Sequence, residues 1–126
     1  MTTEELRKEI IYQYMSAWAY RGWKIQPDGI VDTEGTVRIR NYPYPKLPFK
    51  FGKVGGNFDC SENKLETLEN GPDIVAGSYW CERNELKTIE HAAKQIGEMF
   101  VCHSNAVKFT EADVKKYTNK RSKFRV

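Results

Sequence analysis

The residues with the most chemical potential in this 126-residue chain recur in step. Cys60, Cys81 and Cys102 are spaced by 21 residues, each is followed three positions later by an asparagine (Asn63, Asn84, Asn105), and His103 adjoins the last thiol. Thiolate and imidazole are zinc ligands, and a thiol beside a base is a nucleophile, so these two chemistries come first. Neither fits the pattern. Each cysteine lies in x-aromatic-x-Cys-x-x-Asn-x-aliphatic, a short strand whose alternation sends Cys102 inward and His103 outward, so the two cannot share a metal. Asp59 and Glu82 could serve as an acid pair, but carboxylates on neighbouring coils of a repeat protein are better read as a salt-bridged or solvated surface. The sequence has no paired CxxC, HExxH, phosphate-binding glycine loop or nucleophile elbow. The expectation is a binding protein with no catalytic residues, no metal and no cofactor.

The 21-residue step also joins Leu65, Leu86 and Val107, and extends to Val54, Val75 and Ile96 and to Leu68 and Ile89. A fixed period of this length marks a stacked solenoid. Inward positions are then Phe58 and Cys60, Tyr79 and Cys81, Phe100 and Cys102, with the cysteines as small apolar filler. The asparagines are expected to form an amide ladder, because a sharp turn at a strand end leaves backbone donors and acceptors facing an interior without water. Stepping back by 21 maps Val37 onto Phe58, Ile39 onto Cys60, Tyr44 onto Leu65 and Leu47 onto Leu68, so 33–53 reads as a degenerate first coil. Its asparagine slot holds Tyr42, with Asn41 one residue early.

Residues between the inward ones face out and stack in columns. One column is Arg38, Asp59, Trp80 and Val101; the next is Arg40, Ser61, Glu82 and His103; a third is Thr36, Asn57, Ser78 and Met99. An exposed indole flanked by Val101 and Met99 and ringed by Arg38, Arg40, Asp59, Glu82 and His103 has the make-up of an interaction hot spot with a polar rim.

The ends need caps. Residues 2–20 form an amphipathic helix with Leu6, Ile10, Tyr14, Ala17 and Trp18 on one face, a capping box at Thr2-Thr3-Glu4-Glu5 and Gly22 at its end. Pro-Asp-Gly and Glu-Gly turn signals separate short β-branched runs between 23 and 53. Thr110-Glu111-Ala112-Asp113 is a second capping box, opening a short helix with Val114 and Tyr117 on its apolar side. The chain thus divides into an N-terminal capping helix (1–22), a solenoid (23–109) and a C-terminal cap with a basic tail (110–126). The fold class is an α/β repeat solenoid.

Net charge is +3, yet residues 110–126 carry six lysines or arginines against two acids, a net +4, so the rest sums to −1. A frayed, solvated end is the expected state of this tail, with Lys120, Arg121, Lys123 and Arg125 available to phosphate or an acidic partner. No apolar run approaches the roughly 20 residues that span a bilayer, and no basic leader opens the chain. Three cysteines, an odd number at equivalent buried positions, suit reduced thiols and a cytoplasmic protein.

The pattern Val-x-Gly followed by aromatic-x-Cys-x-x-Asn-x-Leu resembles the leucine-rich repeat. With Asp28-Gly29 and the stretch from Leu47 to Leu65, it is similar to the short leucine-rich-repeat-type proteins of bacteria and tailed bacteriophages, over roughly residues 24–109. It departs from them at the inter-coil link, Leu68-Glu69-Asn70-Gly71-Pro72 in one coil and Ile89-Glu90-His91-Ala92-Ala93 in the next, and in the shortness of the array. The resemblance implies a leucine-rich-repeat-like array and a phage accessory protein that occupies a host defence or regulatory protein. The rival function is an RNA- or DNA-binding module using Arg38, Arg40, Trp80 and the basic tail, against which Asp59 and Glu82 argue. The oligomeric state is expected to be a monomer or a weak homodimer, associating through a sheet edge or the Trp80 patch.

Overall fold

A computed structural model describes residues 1–119 and 123–126. Helix α1 (Thr3–Trp18) is followed by ten short strands and a second helix: β1 (Trp23–Ile25), β2 (Val31–Thr33), β3 (Val37–Arg38), β4 (Phe51–Val54), β5 (Phe58–Asp59), β6 (Ile74–Val75), β7 (Tyr79–Trp80), β8 (Gln95–Ile96), β9 (Met99–Val101), α2 (Glu111–Tyr117) and β10 (Lys123–Arg125). The strands form two five-stranded sheets, β1-β2-β4-β6-β8 and β10-β9-β7-β5-β3. Each coil gives one strand to each sheet, and successive coils pair in parallel with the step read from the sequence: Val37 with Phe58, Phe58 with Tyr79, Tyr79 with Phe100. The molecule is a β-solenoid of about four turns whose helices lie at its ends.

The interior is filled by the repeat. Phe51, Phe58, Tyr79 and Phe100 stack with ring centroids 5.1–5.4 Å apart, while Cys60, Cys81 and Cys102 form a buried thiol column. Burial pushes the Cys60 and Cys81 thiols well above their ordinary range and that of Cys102 up to about 12, so all three are poor nucleophiles.

The asparagine ladder is present and has a direction. Asn84 Nδ2 donates to the carbonyls of Cys81 and Glu82 in its own coil and of Cys60 in the coil before, at 3.2, 3.4 and 2.9 Å. Its Oδ1 accepts from the Leu65 amide of that earlier coil at 3.0 Å. Asn63 serves Ile39 and Tyr42 in the same way, and Asn105 serves Cys81, Asn84 and Leu86. Each asparagine therefore closes the corner of the preceding coil as well as its own. The first coil, with no repeat before it, can place Tyr42 in the slot because Asn63 supplies its acceptor.

Asn41 is no slipped copy of the ladder. It occupies the left-handed corner that Glu62, Arg83 and Ser104 occupy in later coils, with φ between 55° and 59° at all four. Asparagine tolerates this backbone better than most residues. The glycine-rich entries answer a different demand, close approach of stacked backbone: a Cβ on Gly97 would run into the Ala76 carbonyl.

Several end residues differ from expectation. Helix α1 buries Ile11, Met15 and Trp18, leaving Leu6 52% and Ile10 38% exposed and Ala17 outside. The helix faces the core along a stripe turned from the Leu6–Ile10 one because Trp18 and Tyr14 must meet Tyr42 and Phe49, with Trp18 5.8 Å from Tyr42. It stops at Ala19, short of Gly22, because Ala19 bridges Val37 and the Tyr20 amide donates to the Thr36 carbonyl. Tyr44 is exposed where Leu65 is buried, and Tyr42 fills the interior instead, its hydroxyl donating to the Lys46 carbonyl. Val107 is likewise 45% exposed, and Phe109 enters the core as the chain turns into α2.

Two outcomes follow for unfolding in urea. Asn84→Ala should lose about 3 kcal/mol, since it strands a buried amide and buried carbonyls; Asn84→Asp should lose at least as much at neutral pH, because a carboxylate cannot donate to those carbonyls. Asn41→Val should lose about 1–2 kcal/mol although its side chain is exposed, and Asn41→Gly should change stability little.

Candidate functional site

The sheet formed by β3, β5, β7, β9 and β10 carries the residues singled out from the sequence, and coil pairing brings them together as expected: Arg38 beside Asp59, Asp59 beside Trp80, Trp80 beside Val101. Their individual states differ. Asp59 is fully engaged, its Oδ1 accepting from the Ser61 amide at 3.0 Å and from the Ser61 hydroxyl at 2.6 Å, its Oδ2 lying 3.4 Å from Arg38 Nε. Hydrogen bonding from Arg38 holds the exposed Tyr20 phenol below its ordinary pKa and raises that of Arg38, so Tyr20 extends this end of the face. Arg40 is exposed and has no ion-pair partner among the described residues.

Trp80 is half-buried on the sheet surface. Val101 does not form an open apolar surface beside it: between Trp80 and Arg125 in its column, Val101 is only 5% exposed. Met99 is half-buried at the next position.

The third column, Thr36, Asn57 and Ser78, is structural. Thr36 Oγ1 accepts from the Asn57 amide, Asn57 Oδ1 from the Ser78 amide, and Ser78 Oγ from the Met99 amide, at 3.1, 2.8 and 3.2 Å. It is a second ladder, and it takes these three residues out of the interaction surface.

Glu82 differs from the other acids of the face. Its Oε1 is shielded from solvent and has no hydrogen-bond partner among the described residues. Burial pushes its pKa above the usual carboxylate range; its own backbone amide opposes this, Asp59 adds to it, and His103 and Arg83 pull it back. His103 is half-buried, with Nδ1 2.9 Å from Ser104 Oγ, while Cys102 points inward, so the thiol and imidazole are separated as alternation requires.

The described part of the basic tail is ordered into the sheet. Lys123, Phe124 and Arg125 form β10, pairing in parallel with Met99, Phe100 and Val101, and the Cys102 amide donates to the Arg125 carbonyl at 2.9 Å. The tail is therefore no frayed end here: Phe124 packs against the core, and exposed Lys123 and Arg125 join the face. Lys120 and Arg121 lie outside the described residues. The strand escapes the 21-residue step because α2 intervenes and displaces it by three positions, yet Lys123-Phe124-Arg125 repeats the x-aromatic-x signature of Asn57-Phe58-Asp59.

The face thus runs from a cationic end (Arg38, Arg40) through a middle with two acids and an indole (Asp59, Trp80, Glu82) to a second cationic end (Lys123, Arg125). No group of three or more histidine, cysteine, aspartate or glutamate side chains among the described residues is placed to hold a metal ion. No helix among them is long and apolar enough to cross a membrane. No protein-family model, curated protein or solved structure matches this chain.

Because the folded pKa of Glu82 lies above its unfolded value, its ionisation opposes folding, and the cost appears as pH rises from the ordinary carboxylate range through the raised folded value. Glu82→Gln removes this term. Its stability relative to the unmodified chain should increase across that window and then level off, as read by urea unfolding between about pH 4 and pH 8.

Proposed function

We propose that this protein is a non-catalytic binding module that engages another protein through the sheet face centred on Trp80 and Glu82. The observation that carries the proposal is the juxtaposition of a half-buried indole with a half-buried carboxylate that has no ion-pair partner among the described residues, on a face whose other acid is already paired. An aromatic face beside a half-buried carboxylate favours a cationic side chain from the partner, through cation–π attraction and charge attraction together. Lys123 and Arg125 at one end and Arg38 and Arg40 at the other provide a rim that orients the partner and disfavours one whose basic residues lie elsewhere.

The absence of a catalytic role is supported by the state of the reactive groups: all three thiols are buried and shifted up, and Asp59 is held by Ser61 and Arg38. The similarity of the repeat to leucine-rich-repeat-type phage proteins supports a phage accessory role, with a defence or regulatory protein in the host cytoplasm as the partner. The nucleic-acid reading draws support from Lys123 and Arg125 joining the same sheet as Arg38 and Arg40, but the acids of the middle coils would repel a phosphate backbone laid across it.

Trp80→Ala should weaken partner capture at least tenfold, the loss typical of a central aromatic anchor, and adding Arg125→Glu should weaken it further. Host lysate passed over the immobilised chain and each variant, with circular dichroism to verify folding, provides the measurement. Equal capture by the chain and the folded Trp80→Ala variant would remove the face from consideration. Retention of nucleic acid that falls steeply with salt would favour the rival.

A further inference from the structure

A wide cleft lies away from the sheet face, under the first turns of α1. The inner side of this helix changes character along its length. Ile11, Met15 and Trp18 are buried, whereas Glu4, Arg7 and Lys8, which continue the same side toward the N-terminus, overhang the body without packing on it. Below them lies an apolar strip, Ile25 at the end of β1, Pro27 of the hairpin turn, and Pro48 and Phe49 before β4, with Gln26 and Asn70 at its margins. The cleft, open to solvent on one side, has a volume of about 800 Å³, within the range of small-molecule sites.

The charges of the cleft are unevenly matched. Glu4 lies 3.7 Å from Lys8, Asp28 Oδ1 accepts from the Ile30 amide at 3.0 Å, and Lys50 is held by Asp73 at 3.0 Å and by the Gly71 carbonyl. Arg7 alone of the cleft's cations has no ion-pair or hydrogen-bond partner among the described residues, and it hangs over the apolar strip. Ile10, 38% exposed, supplies apolar surface at the rim.

We propose that this cleft binds a small amphiphile with one anionic head, the head paired to the Arg7 guanidinium and the apolar body lying on Ile25, Pro48 and Phe49. A guanidinium pairs bidentately with a carboxylate or phosphate, and the strip removes apolar ligand surface from water. A free fatty acid and the head and chain of an anionic lipid share this chemistry; the limited volume of the cleft favours the single-chain free ligand, because a lipid held in a bilayer would have to leave it. The site is independent of the Trp80 face.

Titration of the ¹⁵N-labelled chain with octanoate, octanol and inorganic phosphate, followed by amide shifts at Arg7, Ile10, Ile25 and Phe49, tests the proposal. The expected result is saturable shifts with octanoate, at least tenfold weaker binding of octanol and phosphate, and at least tenfold weaker octanoate binding in Arg7→Glu, whose exposed side chain can be replaced without touching the core. Trp80→Ala should leave octanoate binding unchanged, so failure here and failure of the sheet-face proposal remain separable. Octanol binding as tight as octanoate, unaltered affinity in Arg7→Glu, or no saturable shift with octanoate would overturn the proposal. Retention on phosphatidylglycerol vesicles without saturable octanoate binding would overturn it in favour of a membrane-surface contact.

Discussion

The coil corner is the constraint on which the rest of the molecule depends. A backbone that turns sharply at the end of each two- or three-residue strand leaves amides and carbonyls facing a dry interior, and neither sheet can reach them. The left-handed residue at 41, 62, 83 and 104 makes the turn, and the asparagine that follows the last three of these satisfies it. Because each carboxamide reaches back to the coil before, coils are tied in sequence, and a corner is complete only when the next coil has stacked. That directional dependence gives the first coil its freedom to carry tyrosine and makes the start of the array a place for an aromatic cap.

The cap and the interior form one continuous apolar line. Tyr14 and Trp18 of α1 meet Tyr42 and Phe49, Phe49 lies 5.2 Å from Phe51, and from there the rings run coil by coil to Phe100. Seating those rings sets the rotation of α1, and the rotation carries charged Glu4, Arg7 and Lys8 over the hairpin turn. The cleft is therefore a by-product of capping: a helix docked by its second half must leave its first half standing clear of the body. At the other end Phe124 lies opposite Phe100 in the sheet register and packs against the core, and its strand brings Lys123 and Arg125 into the face.

On the face, structural demands claim some columns and leave others free. Thr36, Asn57 and Ser78 accept backbone amides of successive coils, so their chemistry is committed to stacking. Asp59 spends both oxygens on Ser61 and Arg38. What remains variable from coil to coil is the pair Trp80 and Glu82, with His103 and the cationic ends around them, and there the face carries a carboxylate with no ion-pair partner among the described residues.

Much of this was legible in the chain. The 21-residue step of Cys, Asn and aliphatic residues dictated the solenoid, the inward thiols and rings, the amide ladder and the outward columns, because a repeat imposes one local environment on every equivalent position. The second capping box at Thr110 was equally local, and the structure closes both of its hydrogen bonds. The ends were harder. The orientation of α1, the exchange of Tyr44 for Tyr42 and of Val107 for Phe109, and the capture of the tail by β9 depend on which surfaces meet in space, and an end coil has a neighbour on one side only. The same holds for the site. The sequence placed Trp80, Glu82 and Val101 on one face, but tertiary packing decided that Val101 is covered, that one Glu82 oxygen has no donor among the described residues and that Arg7 overhangs a partly apolar cleft. Periodicity determines which way a side chain points; what it meets there is decided by neighbours distant in the chain.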